Sequence, residues 1–168
     1  MKKLLLLIFF IINVNGAYID ELYNLNTKQR AVLQAALDKG LENGFDYLLA
    51  AIAWKESSFG TKVTNHSDGL HGSYGVFQNL LTTVIKRENG NINSTEEREY
   101  YKNKLISDFD YASNMAMIEL DAWLKYHKGN LRKAVMSYNA GFKYTNGERY
   151  MRDVYHRIKV LKKYHNEH

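Results

Sequence analysis

Cysteine and proline are both absent from this 168-residue chain. Without cysteine there is no disulfide framework, no thiol nucleophile, no thiolate metal site and no lipid-modified N-terminal cysteine, so the fold must rest on packing. Without proline, breaks between helices have to be marked by glycine, asparagine and serine, which blurs boundaries by a few residues. Strand signals are weak throughout, and internal repeats and low-complexity segments are missing. The only long apolar run, Leu4 to Ile12, has nine residues, well short of the roughly 20 that a membrane-spanning helix needs.

That run follows Lys2 and Lys3 and precedes small residues at Val14, Gly16 and Ala17, the layout of a secretory signal peptide. Cleavage after Gly16 would leave residues 17–168 as one exported domain, periplasmic in location. An apolar content of 45% with 13% aromatics suits a folded globular domain with its own core. The formal charge is +5 with a pI near 9.2, which favours acidic partners such as nucleic acid, anionic lipid or a carboxylate-bearing cell wall. Much of the excess lies between Arg149 and Lys163 and reads as the solvated basic face of a terminal helix. No nucleic-acid-binding module is recognisable, so nucleic acid is not expected as a partner.

Helical periodicity dominates the rest. Asn26 and Gln29 have capping-box spacing before a helix from Thr27 to about Gly40, and a second helix is expected from Asp46 to Ser58. Between Phe59 and Gly75 the apolar period vanishes and glycines accumulate, which predicts a long shaped loop, a feature that is usually functional. Ser94 and Glu97 mark a helix through Leu105. Asp108 or Asp110 starts a longer one to Gly129, apolar on most sides and therefore expected to be the buried central helix. Asn130 caps a short helix closed by Gly141, and a last helix runs from Gly147 to Tyr164. The fold class is mainly α, with little or no β structure.

Within the second helix, Leu48, Leu49, Ile52, Ala53 and Glu56 share one face, which puts a carboxylate at the end of an apolar stripe. Burial there, together with the partial negative charge of the helix C-terminus, raises the pKa toward the range useful for general acid catalysis. The alternative is a glutamate that reaches water or pairs with Lys55 or an arginine. His66, Asp68 and His71 in the glycine-rich loop match no familiar ligand spacing, so no metal is expected.

Glu56-Ser57, then Gly75-Val76-Phe77-Gln78, then Ser137-Tyr138-Asn139-Ala140-Gly141, form an ordered set that resembles the catalytic domain of the soluble lytic transglycosylases, in the goose-type lysozyme-like superfamily. The family's pattern is Glu-Ser, Gly-Leu-Met-Gln, Ala-Tyr-Asn-Ala-Gly and a tyrosine in a closing helix, matched by Tyr150. The resemblance spans roughly residues 46–160 and implies a compact lysozyme-like helical domain. It also implies cleavage of the peptidoglycan bond between N-acetylmuramic acid and N-acetylglucosamine, with no cofactor.

By the same resemblance Glu56 is the sole catalytic acid and base. Ser57 supports the substrate's acetamido group, Gln78 and Asn139 line the glycan groove, and the hydroxyls of Tyr138 and Tyr150 orient the glutamate. Read without the family, Ser57 could merely end a helix, Tyr138 could pack with a satisfied hydroxyl, and Asn139 with Gly141 could be a C-cap. The departures, Val76-Phe77 for Leu-Met and Ser137 for Ala, put the shape of a subsite in question. A hydrolytic muramidase and a noncatalytic glycan-binding component of an envelope machine are the competing readings. Asp68 is the one plausible second carboxylate, for which a turn or loop-anchoring role is expected. A monomer is expected, with an envelope-spanning secretion or appendage complex as candidate partner.

Overall fold

Asn26 accepts the Gln29 backbone N–H at 3.0 Å while the Gln29 side chain accepts the Asn26 N–H at 3.1 Å, so the first capping box forms as its spacing predicts. It starts α2 (Thr27–Glu42) in a computed structural model that describes residues 16–167. The signal peptide expected over residues 1–16 lies, apart from Gly16, outside the described residues. Residues 16–23 form a helix, α1, pinned by the fully buried Leu22 and by the Trp54 indole N–H, which donates to Glu21 at 2.7 Å.

The remaining elements are α3 (Tyr47–Ser57), β1 (Thr64–Asn65), β2 (Ser73–Tyr74), β3 (Asn79–Leu80), α4 (Leu81–Arg87), α5 (Thr95–Ser107), α6 (Phe109–Tyr126), α7 (Leu131–Ala140), a 3-10 turn (Tyr144–Gly147) and α8 (Glu148–Asn166). The architecture is mainly helical and lysozyme-like, as expected. α3 packs between α2 and α8, and α6 packs on α5 and α7. Two of the N-caps read from sequence are in place: Asp108 accepts from the Tyr111 N–H and Asn130 from the Lys133 N–H. At Ser94 only half of the box forms, because Glu97 turns to the Asn91 N–H at 2.8 Å instead of the cap residue.

Three expectations are corrected. The buried central helix is α3, in which every residue from Leu48 to Trp54 is buried, whereas α6 leaves Ile118 46% exposed. Its apolar residues go around more than one face, but only the side carrying Ala112, Met115, Ala116 and Leu120 is covered. The segment after α3 is not only loop: β1, β2 and β3 pair antiparallel in that order, Thr64 opposite Tyr74 and Ser73 opposite Leu80. Strands of two residues are too short to show a period of 2 in sequence. The helix α4 was not foreseen either, since its seven residues LTTVIKR contain two threonines and lack a side-chain cap.

Gly75 shows why the second motif begins with glycine. Its φ is +82°, and a Cβ would stand 2.3 Å from the Leu105 carbonyl oxygen at the end of α5. Both the left-handed backbone and the close approach require the missing side chain. Gly75→Ala should therefore destabilise the fold by about 3 kcal/mol, measured as a lower urea midpoint with an unchanged slope. A loss under about 0.5 kcal/mol would show that the approach can relax.

Candidate active site

Glu56 stands in the last turn of α3, which ends in an unusual way: Ser58 and Phe59 both adopt positive φ, 47° and 54°. Such backbone costs about 1–2 kcal/mol per non-glycine residue and has to be held by its surroundings. Phe59 is fully buried and stacks on Trp54 at 5.7 Å between ring centroids, and its N–H returns to the Ala53 carbonyl at 3.2 Å. The sharp exit turns the chain from the buried helix straight into the β1–β3 sheet, leaving the Glu56 carboxyl at the edge of the core and still partly open to solvent.

Burial is the largest influence on that carboxyl and pushes its pKa from 4.5 up to about 7. The Tyr150 hydroxyl, donating to Glu56 Oε1 at 2.5 Å, and the charge of Lys55 oppose the shift, while the charge of Asp68 adds to it. Near neutral pH a large share of Glu56 is therefore protonated, the state a general acid needs. Tyr150 is buried on α8. Burial, followed by the charge of Glu56, holds its phenol well above the ordinary range, so it remains a donor. Lys55 is held away by Asp153, Nζ to Oδ2 at 2.5 Å, and Asp153 also accepts from the Tyr18 hydroxyl at 2.9 Å.

Two cavities are lined by neighbours of this glutamate, Asp68 and Tyr138 bordering one and Tyr150 and Lys55 the other. One, of 240 Å³, is lined by Asp68, Gln78, Tyr138 and Asn139 together with Arg87, Glu119, Trp123 and Phe142. The other, of 630 Å³, is lined by Tyr150, Lys55, Asp153, Arg149 and Arg152, and Asn139 borders both. Gln78, at φ +48°, is fixed by three hydrogen bonds: its amide donates to the carbonyls of Gly75 and Lys62, and its oxygen accepts from Ser73. Asn139 is exposed at the end of α7, where Gly141 breaks the helix.

Gln78, Tyr138 and Asn139 thus line one cavity, Asn139 and Tyr150 line the other, and Tyr150 bonds Glu56, but the geometry of two residues does not fit the roles implied by the resemblance. Ser57 is 1% exposed; its hydroxyl lies 2.7 Å from the Val76 carbonyl and 3.1 Å from that of Ala53, and accepts from the Gly60 N–H. Its one O–H is spent on these carbonyls and the side chain is buried, so it clamps the exit of α3 to the Gly75–Gln78 turn and does not face a sugar. The Tyr138 hydroxyl donates to the Phe77 carbonyl at 2.9 Å, not to Glu56. Its ring stays close enough for the glutamate charge to add to the rise that burial gives its phenol pKa, but the orienting bond belongs to Tyr150 alone.

Phe77 is fully buried against Phe109, 5.7 Å between ring centroids, so that departure from the pattern alters the core and leaves the groove alone. Ser137 is also buried, with its hydroxyl 2.7 Å from His127 Nε2. Asp68 is more than a loop anchor, because it lines the cleft and its charge reaches Glu56. Sequence reasoning missed Arg87, Glu119, Trp123 and Phe142. The one available signal was Glu119 and Trp123 at i, i+4 on a single helix face.

Comparison with known proteins agrees with this geometry. An uncharacterized 20.7 kDa protein in the vs-regB intergenic region of Enterobacteria phage T4 is 34% identical over 124 residues, covering 72% of this chain and 65% of that protein. This chain therefore spans a little under two thirds of that relative's length. No solved structure matches. The pattern of the Transglycosylase SLT domain matches residues 33–159, a span that holds every groove residue named above, and the chain belongs to that family.

Proposed function

We propose that this protein is a lytic transglycosylase that cleaves peptidoglycan between N-acetylmuramic acid and N-acetylglucosamine without water, leaving 1,6-anhydro-muramic ends. Family membership supports glycan-cleaving chemistry of the transglycosylase type on peptidoglycan. The observation that carries the finer reading is the Glu56 carboxyl, whose pKa burial pushes up to about 7 and which Tyr150 holds in place.

Protonated Glu56 donates to the glycosidic oxygen, the bond from C1 of muramic acid to that oxygen breaks, and the glucosamine leaves with a free 4-hydroxyl. The muramic acetamide oxygen stabilises the positive C1. Glutamate then takes the proton of the muramic C6 hydroxyl, whose oxygen bonds to C1 and closes the anhydro ring. One residue acts first as acid and then as base. Asn139 offers its amide to the sugar in the groove, whereas both N–H groups of Gln78 serve the Gly75 and Lys62 carbonyls, so Gln78 offers only the remaining lone pair of its oxygen. The same reading makes the protein an exported, periplasmic monomer that works on the wall, with a secretion or appendage complex as its candidate partner.

Asp68 favours a second reading. Two-carboxylate glycosidases place the second group about 5–9.5 Å from the acid, and Asp68 is the carboxylate whose charge raises Glu56. Digestion of sacculi in heavy-oxygen water separates the two. We expect muramic products lacking the mass of one water and free of label, and an Asp68→Asn variant that keeps activity within about fivefold. Label at the new muramic end, with activity lost in Asp68→Asn, would make hydrolysis the chemistry.

A further inference from the structure

Phe142 follows the third motif directly and is 75% exposed, and Tyr126 beside it is 58% exposed. Exposed aromatics that touch one another mark a binding surface more often than chance placement. The rings form one cluster: Trp123 meets Phe142 at 5.1 Å and Tyr126 at 5.7 Å, and Tyr126 meets Phe142 at 5.5 Å, all edge to face. The cluster is anchored from below. The Trp123 indole N–H donates to Glu119 at 2.5 Å, and Glu119 is paired with Arg87, both ion-pair side chains being largely covered. An indole tied in this way keeps its orientation when the cavity is empty, which lowers the entropic cost of binding.

Trp123 and Phe142 line the same cavity as Asp68, Gln78, Tyr138 and Asn139, and two of these, Asp68 and Tyr138, are near enough to Glu56 for charge to act between them. A rigid apolar wall with a few amides near it suits a ligand with an apolar face and a polar rim. An N-acetylated pyranose has that form, its ring C–H bonds on one face and its hydroxyls and acetamide around the edge.

We infer that Trp123 and Phe142 form a sugar subsite that holds a neutral N-acetylhexosamine ring of the strand next to the cleaved bond. The subsite rests on the glycan-cleaving reading above and adds to it a residue pair set by this chain. Because the subsite binds substrate away from the reacting atoms, its loss appears in KM and leaves kcat in place.

Chito-oligosaccharide of four N-acetylglucosamine units serves as the binding probe. Of the two tryptophans, Trp54 is 1% exposed, so a saccharide-dependent change in emission reports Trp123. We expect that change in the wild type and its loss in Trp123→Phe. On purified sacculi Phe142→Ala should raise KM by about tenfold with kcat within about twofold and the melting temperature unchanged. Cleavage of sacculi with a wild-type KM in Phe142→Ala would overturn the subsite alone. An emission change with no cleavage by the wild type would overturn the catalytic reading and leave the subsite standing.

Discussion

Glu56→Gln is expected to lower the rate of glycan cleavage by at least about a thousandfold, because the amide keeps the size of the side chain and has no transferable proton. Stability should change in the opposite sense, and with pH. The folded-state pKa of about 7 lies above the ordinary 4.5, so the folded protein binds the proton more tightly than the unfolded chain does. Stability is then fully present below pH 4.5 and is lost as pH rises toward and through 7, by on the order of 3 kcal/mol. The glutamine variant has no such loss. Above pH 8 it should melt higher than the wild type, and at pH 4 the two should be close. The wild-type rate should fall as pH rises past 7, where the general acid ionises. Activity within tenfold of wild type, or a melting difference independent of pH, would remove Glu56 from its role.

Tyr150→Phe should lower kcat by about 10- to 100-fold. The lost hydroxyl is the donor that reaches Glu56 Oε1 at 2.5 Å, and without it the carboxyl is free to turn away from the glycosidic oxygen. That bond also opposes the burial-driven rise of the Glu56 pKa, so the alkaline limb of the rate profile should move to higher pH. A merely structural tyrosine would leave that limb in place. Tyr138→Phe gives the contrast. Its hydroxyl serves the Phe77 carbonyl, so its loss should cost about 1 kcal/mol of stability and leave the pH profile unmoved. Rate against pH for the three proteins tests both assignments, and a Tyr138→Phe profile shifted like that of Tyr150→Phe would reverse them.

Helix periodicity, the Asn26, Asp108 and Asn130 caps, and the position of Glu56 at the end of an apolar stripe were legible in the residues themselves, because each depends on neighbours within a turn or two of chain. Motif order pointed to Glu56, Gln78, Asn139 and Tyr150 as candidates; in the fold Asn139 borders both cavities, Gln78 one of them and Tyr150 the other, with Tyr150 bonded to Glu56. The partner of each hydroxyl was not legible. Ser57 and Tyr138 both end on carbonyls of the Val76-Phe77 turn, 19 and 61 residues away along the chain. A serine or tyrosine hydroxyl bonds whatever acceptor packing presents to it. The same holds for the burial of α3 in place of α6, since both are apolar enough to be central and only the helices laid against them decide which one is covered. Asp68 and Trp123 enter the groove for a related reason. The fold brings the β1–β2 connection and α6 into the lining of one cavity with Gln78, and no local spacing in the chain encodes that meeting.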